Sequence, residues 1–357
     1  MMKQVIFLLT GLLLIQLISV AQEAETPMAD TTKAKVNNGL EANKLYNESI
    51  GFYNDQNYAE AISKTNKAIE LNPDFLKAYY NRGCYNLSLG NLEEALMDFN
   101  KVIQKQADSK VYVARGYCML QQNQVQKAID DFTLAIDKNS TNAEAYYYRA
   151  SAYYSQGNFM KAIEEFNKAI DIDQYYAVAY GDRGNAKIET KDFEGALADF
   201  DKAVALDPAM ATTFNSRGML YELQGELQTA LEDYTAALKI NPGYYAAFNN
   251  RGRVKYLMEN YESSLEDFNA ALDLNPEYDL ALNNRGLAKY MIGDLNGAID
   301  DFSEAIAVNP EYGEAYENRG TTKEMKRDVK GACSDWKKAD ELGETTASKY
   351  VSKQCGE

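Results

Sequence analysis

The residues whose type and spacing could do chemistry are charged. Arginine recurs at Arg82, Arg115, Arg149, Arg183, Arg217, Arg251, Arg285 and Arg319, and sixteen residues after each stands an acid: Asp98, Asp131, Glu165, Asp199, Asp233, Asp267, Asp301 and Asp335. A ninth copy carries Glu48 and Lys64, with both signs reversed. A guanidinium and a carboxylate at fixed separation do ion-pair chemistry, a planar fork of donors meeting two acceptor oxygens. If each Arg paired only with the acid of the copy before it, Lys64 would face Arg82; pairing inside each copy satisfies all nine. The pattern therefore predicts one internal ion pair per copy, fixing the register of two segments. The competing reading is that these arginines await a partner's carboxylates. Lys187, Lys255, Lys289 and Lys323 lie one turn after four of the arginines and either share their acids or are solvated.

Chemistry of other kinds is poorly served. The chain has no histidine, which removes the commonest general base and the commonest metal ligand together. Carboxylates and lysines are not gathered as they would be in a site, and the four cysteines have no metal-ligand spacing. The expectation is a protein with no catalytic residues, no metal and no cofactor. The formal charge of −16 repels phosphate backbones, so nucleic acid is a poor partner and a basic or neutral protein or peptide a better one. Solubility alone accounts for the charge equally well.

The elements that must hold these charges come from a repeat. Ala177, Tyr180, Arg183-Gly184, Ala196, Phe200, Ala203 and Pro208 are answered 34 residues on by Phe214, Arg217-Gly218, Ala230, Tyr234, Ala237 and Pro242, and again by Phe248, Arg251-Gly252, Ser264, Phe268, Ala271 and Pro276. Copies open at Ala42, Leu76, Ser109, Ala143, Ala177, Ala211, Tyr245, Asp279 and Gly313. One step, from Leu76 to Ser109, is 33, and the missing residue falls near Gln106 to Asp108, where a loop tolerates it. Within a copy, apolar residues three or four apart (Tyr146, Ala150 and Tyr153, then Ala162, Phe166 and Ala169) predict two amphipathic helices. Pairs such as Gly90-Asn91 and Gly293-Asp294 turn the chain between them, and Asn-Pro or Asp-Pro closes five copies. Small residues, such as Gly184 against Ala196 and Gly286 against Ala298, are expected to let the two helices approach. Thr65 stands where the other copies have an aromatic.

This repeat resembles the tetratricopeptide repeat, from residue 42 to about 343. The resemblance implies an all-α, right-handed superhelical solenoid of nine helical hairpins, whose first helices line a concave groove. In that family the seventh position is usually apolar, so the arginines here are a departure. The groove is lined by the second, fifth, sixth, ninth, twelfth and thirteenth positions of the first helix, which do fall on one helical face. Here they give Asn249, Asn250, Asn283, Asn284 and Asn318, with Tyr256 and Tyr290, in the last three copies. Asn47, Asn81 and Tyr80 stand on the same face in the first two. Asn carries donors and an acceptor, so a row of them can bond a peptide backbone without reading its side chains. Exposed Asn is also a poor helix former, which calls for some reason beyond folding. Ala114, Tyr148, Asp182 and Ser216 interrupt the row. Tyr46, Tyr53, Tyr80, Tyr147, Tyr148 and Tyr154 make the first four copies tyrosine-rich, suiting an interface or ordinary packing. The carboxylate clamp of chaperone adaptors is not matched, since only Lys77 and Lys110 offer cations.

The ends read differently. Lys3, the apolar run from Val5 to Val20 and Ser19-Val20-Ala21 predict a signal peptide over 1–21, cleaved after Ala21 to leave Gln22 first and to change the charge from −16 to −17 as Lys3 is lost. No other apolar run is comparable, so no transmembrane segment is expected in the mature chain. Residues 22–41 are polar and read as a flexible leader, and 344–357 as a helix capping the last hairpin. Cys333 and Cys355 are expected to bond in an oxidising compartment, stapling that end, while Cys84 and Cys118 fit two buried thiols better than a bond. The reading is a periplasmic or secreted, non-enzymatic scaffold that holds a protein or peptide in its groove. One alternative is a structural subunit of a larger envelope or secretion complex, held by its outer faces; another is an accessory repeat part of an enzyme system.

Overall fold

The structure, a computed structural model, describes residues 33–355. The expected signal segment and the leader up to residue 32 lie outside the described residues. Nineteen α-helices and no strand are found among the described residues. They follow one another as hairpins, Leu76–Leu89 with Leu92–Lys105, Ser109–Gln121 with Val125–Lys138, Ala143–Ser155 with Phe159–Ile172, and so on at the repeat interval. The first helix departs from the interval. It runs Lys33–Asn54, so the stretch expected to be flexible leader up to residue 41 is helical from residue 33 onward.

The chain divides into two compact units between Asp199 and Phe200, inside the helix Phe193–Leu206. The N-terminal unit holds hairpins one to four and the first helix of hairpin five, Ala177–Glu189. The C-terminal unit holds hairpins six to nine, whose first helices are Ala211–Leu223, Tyr245–Leu257, Asp279–Met291 and Gly313–Met325, and a closing helix, Thr345–Gln354.

Local chemistry sets the helix ends. Asn57, Asn158, Asp192, Asp294 and Asp328 each accept a hydrogen bond from the backbone N–H three residues on, satisfying one orphan donor of the second helix. One residue of every hairpin turn is left-handed. Gly90, Gly157, Gly225 and Gly293 take φ of +74° to +86°, and Gln56, Asn123, Lys191, Glu259 and Arg327 take +59° to +64° at the corresponding place. At the far end, Asn72, Asn241, Asn275 and Asn309 leave helical geometry before proline.

Aromatic rings anchor the core of each unit. Phe99, Phe132, Phe166, Phe200, Tyr234, Phe268, Phe302 and Trp336, one on each second helix from hairpin two onward, are buried. Gly83, Gly116, Gly218, Gly252, Gly286 and Gly320 each make room for the ring sixteen residues later. A Cβ on Gly286 would lie 2.6 Å from Phe302 Cε1, and one on Gly83 the same distance from Phe99 Cε1. Gly286 was expected to admit Ala298; it is the ring of Phe302 that it admits. Hairpin one changes both members together: Ser49 replaces the glycine, Thr65 replaces the ring, and both are buried with their hydroxyls bonded to backbone carbonyls, Tyr46 O at 2.6 Å and Ala61 O at 2.8 Å. The last hairpin is closed by Tyr350 stacked on Trp336 at 4.8 Å and by a disulfide between Cys333 and Cys355. Cys84 and Cys118 are buried free thiols.

Gly286→Ala is expected to lose about 1–3 kcal/mol of stability, because Phe302 must leave its rotamer or the helices must part. Urea unfolding of the variant beside the parent checks this; an unchanged midpoint would show that the ring is not what selects glycine.

Candidate peptide-binding surface

Each arginine of the Arg-Gly pairs is a three-armed contact. Nε and Nη2 of Arg82 donate to the two oxygens of Asp98 at 2.8 and 2.6 Å, and Arg183, Arg217, Arg251, Arg285 and Arg319 grip Asp199, Asp233, Asp267, Asp301 and Asp335 in the same bidentate way. Arg115 does so with Asp131, while Glu165 receives both Arg149 bonds on one oxygen and gives the other to Lys168. The remaining nitrogen, Nη1, reaches the hairpin before. It donates to Asn66 from Arg82 at 2.6 Å, Asn167 from Arg183 at 2.7 Å, Asp201 from Arg217 at 2.6 Å and Ser303 from Arg319 at 3.0 Å. Except at Arg285, where Leu282 has no ring, the guanidinium also lies over the ring three residues earlier, as Arg183 does over Tyr180 at 5.3 Å. Sequence reasoning named the internal pair and missed this third arm. The signal was present as a polar residue recurring on the preceding second helix.

Lys187, Lys255, Lys289 and Lys323 share the acids of their own hairpins at 2.7–2.9 Å. In hairpin one Lys64 meets Glu48 at 2.7 Å. Burial pushes the Asp98 carboxyl up despite its bonds to Arg82. Such a pair fixes geometry more than it adds net stability.

The asparagines are not an open row. Asn249, Asn250 and Asn283 are buried, as is Asn81. They are bonded to one another along the array in a fixed rule, the sixth position of one hairpin donating to the fifth of the one before. Asn250 donates to Asn215 at 3.0 Å, Asn284 to Asn249 at 2.9 Å and Asn318 to Asn283 at 3.0 Å. Asn81 obeys the same rule, donating to Tyr46 Oη at 3.1 Å, and Asp182 obeys it as an acceptor, taking 2.8 Å from Tyr147 Oη. The poor helix propensity of these residues is explained by inter-hairpin bonding, which corrects the expectation that they stand free for a peptide. Asn47 alone of the set is exposed. Tyr256 and Tyr290 are half-buried on the same face.

What stands free is an apolar row that sequence reasoning did not single out. The thirteenth position of the first helix is Leu223, Leu257, Met291 and Met325 in hairpins six to nine, at 66, 50, 45 and 60 % exposure. In hairpins three to five the same position is Gln121, Ser155 and Glu189. Four large apolar side chains exposed in register across one unit do nothing for the fold. Among the described residues no group of three or more Cys, Asp or Glu is placed to hold a metal ion.

Comparison with known proteins agrees with this geometry. Sequence models of the tetratricopeptide repeat match residues 65–97, 114–177, 177–210, 211–244 and 249–312. DnaJ homolog subfamily C member 3 of Gallus gallus is 34% identical over 86 residues, 24% of this chain and 17% of that one. Mitochondrial import receptor subunit TOM70 of Homo sapiens is 30% identical over 129 residues, 34% of this chain and 21% of that one. The chain thus spans about a fifth of the length of these curated relatives. In the solved APC/C hetero-tetramer Cut9-Hcn1, a chain superposes with a TM-score of 0.61 at 17% identity, covering 81% of this chain and 57% of that one, a likeness of fold.

Removing one partner of a buried pair strands the other. Asp267→Asn leaves Arg251 and Lys255 with no carboxylate and is expected to cost about 3–5 kcal/mol. The triple variant Asp267→Leu, Arg251→Met and Lys255→Met, which removes the whole cluster, is expected to recover most of that. Chemical denaturation of both variants beside the parent reads this, and equal losses in the two would sink the account.

Proposed function

Since the chain belongs to the tetratricopeptide repeat family, we propose that it is a non-enzymatic scaffold that holds a protein or peptide on the face presented by its first helices. The observation that carries this reading is the exposed row Leu223, Leu257, Met291 and Met325. An apolar side chain in water gains roughly 25 cal/mol per Å² when covered, and a register of them on successive hairpins suits an extended or helical segment laid across the hairpins. The Asn bonds between successive first helices give that surface a fixed spacing. One of the relatives is by name an import receptor subunit.

The working compartment we propose is the periplasm of a bacterial envelope or the exterior. The apolar segment from Val5 to Val20 supports this, and so does the Cys333–Cys355 bond, which needs an oxidising environment to persist.

Two measurements test the proposal. A photo-crosslinking residue placed at position 257 or 291 is expected to capture one protein from an envelope extract, and Leu257→Ser with Met291→Ser to weaken that complex at least tenfold at unchanged melting temperature. A partner held equally by the double variant would move the site elsewhere. For the compartment, intact-mass analysis of the secreted chain is expected to show Gln22 as the first residue and one disulfide; a chain that stays in the cytosol with all four thiols free would overturn it.

A further inference from the structure

The rule that joins fifth to sixth positions does not hold throughout: Gly181, the fifth residue of hairpin five, has no side chain to take part, and two junctions in the N-terminal unit also lapse. Between hairpins two and three the register sets Tyr80 against Ala114, and between three and four it sets Val113 against Tyr148; neither Ala nor Val can return a hydrogen bond. Glu144, at the second position of hairpin four, lies near the polar groups left over there. Tyr80 Oη and Tyr176 Oη are buried with no hydrogen-bond partner. Tyr80, Tyr148 and Tyr176 all lie close enough to Glu144 to feel its charge. The rings form a continuous set, Tyr148 on Tyr147 at 5.2 Å and Tyr147 on Tyr176 at 5.1 Å, and Tyr147 leads to Asp182. Glu144 makes no hydrogen bond or ion pair among the described residues; Lys110 acts on its charge only from a distance.

A half-buried carboxylate without a counter-ion, beside unpartnered phenols, is a candidate cation site. Its desolvation is offset either by a proton or by an incoming positive group. Ring faces attract cations, and phenol oxygens accept N–H bonds. The net charge of −16 draws basic partners to it. We propose that the cluster of Glu144, Asp182, Tyr80, Tyr148 and Tyr176 receives a Lys or Arg side chain of the bound protein, so that the N-terminal unit selects partners by a basic residue. The inference rests on the scaffold reading and adds to it the chemistry of the partner.

Titration gives the site a signature. Burial pushes the Glu144 carboxyl up to about 7 and the Asp182 carboxyl up to about 6, the latter against the lowering effect of its bonds to Tyr147 and Asn185. The groups facing Glu144 besides Lys110 are Cys84 and the three tyrosines, all pushed up by burial and unchanged in charge between pH 6 and 8; the Cys84 thiol is pushed up to about 12. Glu144 therefore gains its charge over that interval, and affinity for a basic side chain should rise with pH. The folded chain alone shows the opposite trend, because a raised carboxyl favours the fold while protonated and loses that advantage as pH climbs from its unfolded value through about 7. Glu144→Gln should thus fold at least as well as the parent at pH 8.

The test is selection of a random dodecapeptide phage library on the intact chain. Recovered peptides are expected to be enriched in Lys or Arg. The best of them, made as a fluorescent probe, should bind at least tenfold more weakly when its basic residue is norleucine or when the protein carries Glu144→Gln. Its affinity should rise from pH 6 to 8 on the parent and rise less on that variant, where of the two carboxyls only Asp182 remains to gain charge. Tyr176→Phe, which deletes only an unpartnered hydroxyl, should weaken the probe by a smaller factor. Binders without basic enrichment, or equal binding by Glu144→Gln, would overturn this inference and leave the scaffold reading standing. A library that yields no binder at all counts against both.

Discussion

Everything in the array hangs on one guanidinium per hairpin. Its rigid fork fits two oxygens of an acid on the partner helix while its third nitrogen reaches the hairpin before, so a single side chain sets both the closing of a hairpin and its stacking on a neighbour. Lysine could not do this, having one point of charge and no fixed angle between donors. Hairpin one shows the consequence. With Glu48 and Lys64 it keeps an internal pair, and neither side chain has a third arm to send backward. The glycine after Arg82, Arg115, Arg217, Arg251, Arg285 and Arg319 serves the same hairpin, since it leaves room for an aromatic ring of the partner helix.

The helical hairpins were legible in the sequence because they rest on short-range signals: apolar spacing, a left-handed turn residue, a cap and a proline. The arginine and its acid were visible because their spacing is invariant and because both signs reverse together at Glu48 and Lys64. The third arm was hidden by degeneracy, since Asn66, Thr133, Asp201 and Ser303 have only an acceptor oxygen in common. Asn249, Asn283 and Asn318 were misjudged for a different reason. Helical phase places them on the first-helix face, but phase says nothing about how near the next first helix comes. Only the distances show that each amide meets its neighbour. Helix Lys33–Asn54 was cut short in the reading because the repeat period, not local propensity, was used to set its start.

The first-helix face therefore has two characters that sequence alone blurred. In the C-terminal unit its polar groups are spent on each other, and an apolar row is left over. In the N-terminal unit the pairing rule breaks between Tyr80 and Ala114, and polarity without partners is left over instead. Both leftovers are places where folding consumes less than the residues offer, which is what separates a surface for binding from a surface for stacking.

The joints between hairpins have a bearing on how such a chain can change. Each is written at a constant offset, the arginine to a residue on the preceding second helix and the sixth position to the preceding fifth. Hairpins seven and eight carry Asn at both the fifth and the sixth position, so each brings its own half of the upper and the lower joint. Unequal crossing-over between their coding segments would insert or excise a whole module with every interface intact. Lengthening the C-terminal unit is thus a single recombination event, whereas altering hairpin two or three would need compensating changes in its neighbours. Evolution can scale one half of this protein while the other must be edited residue by residue.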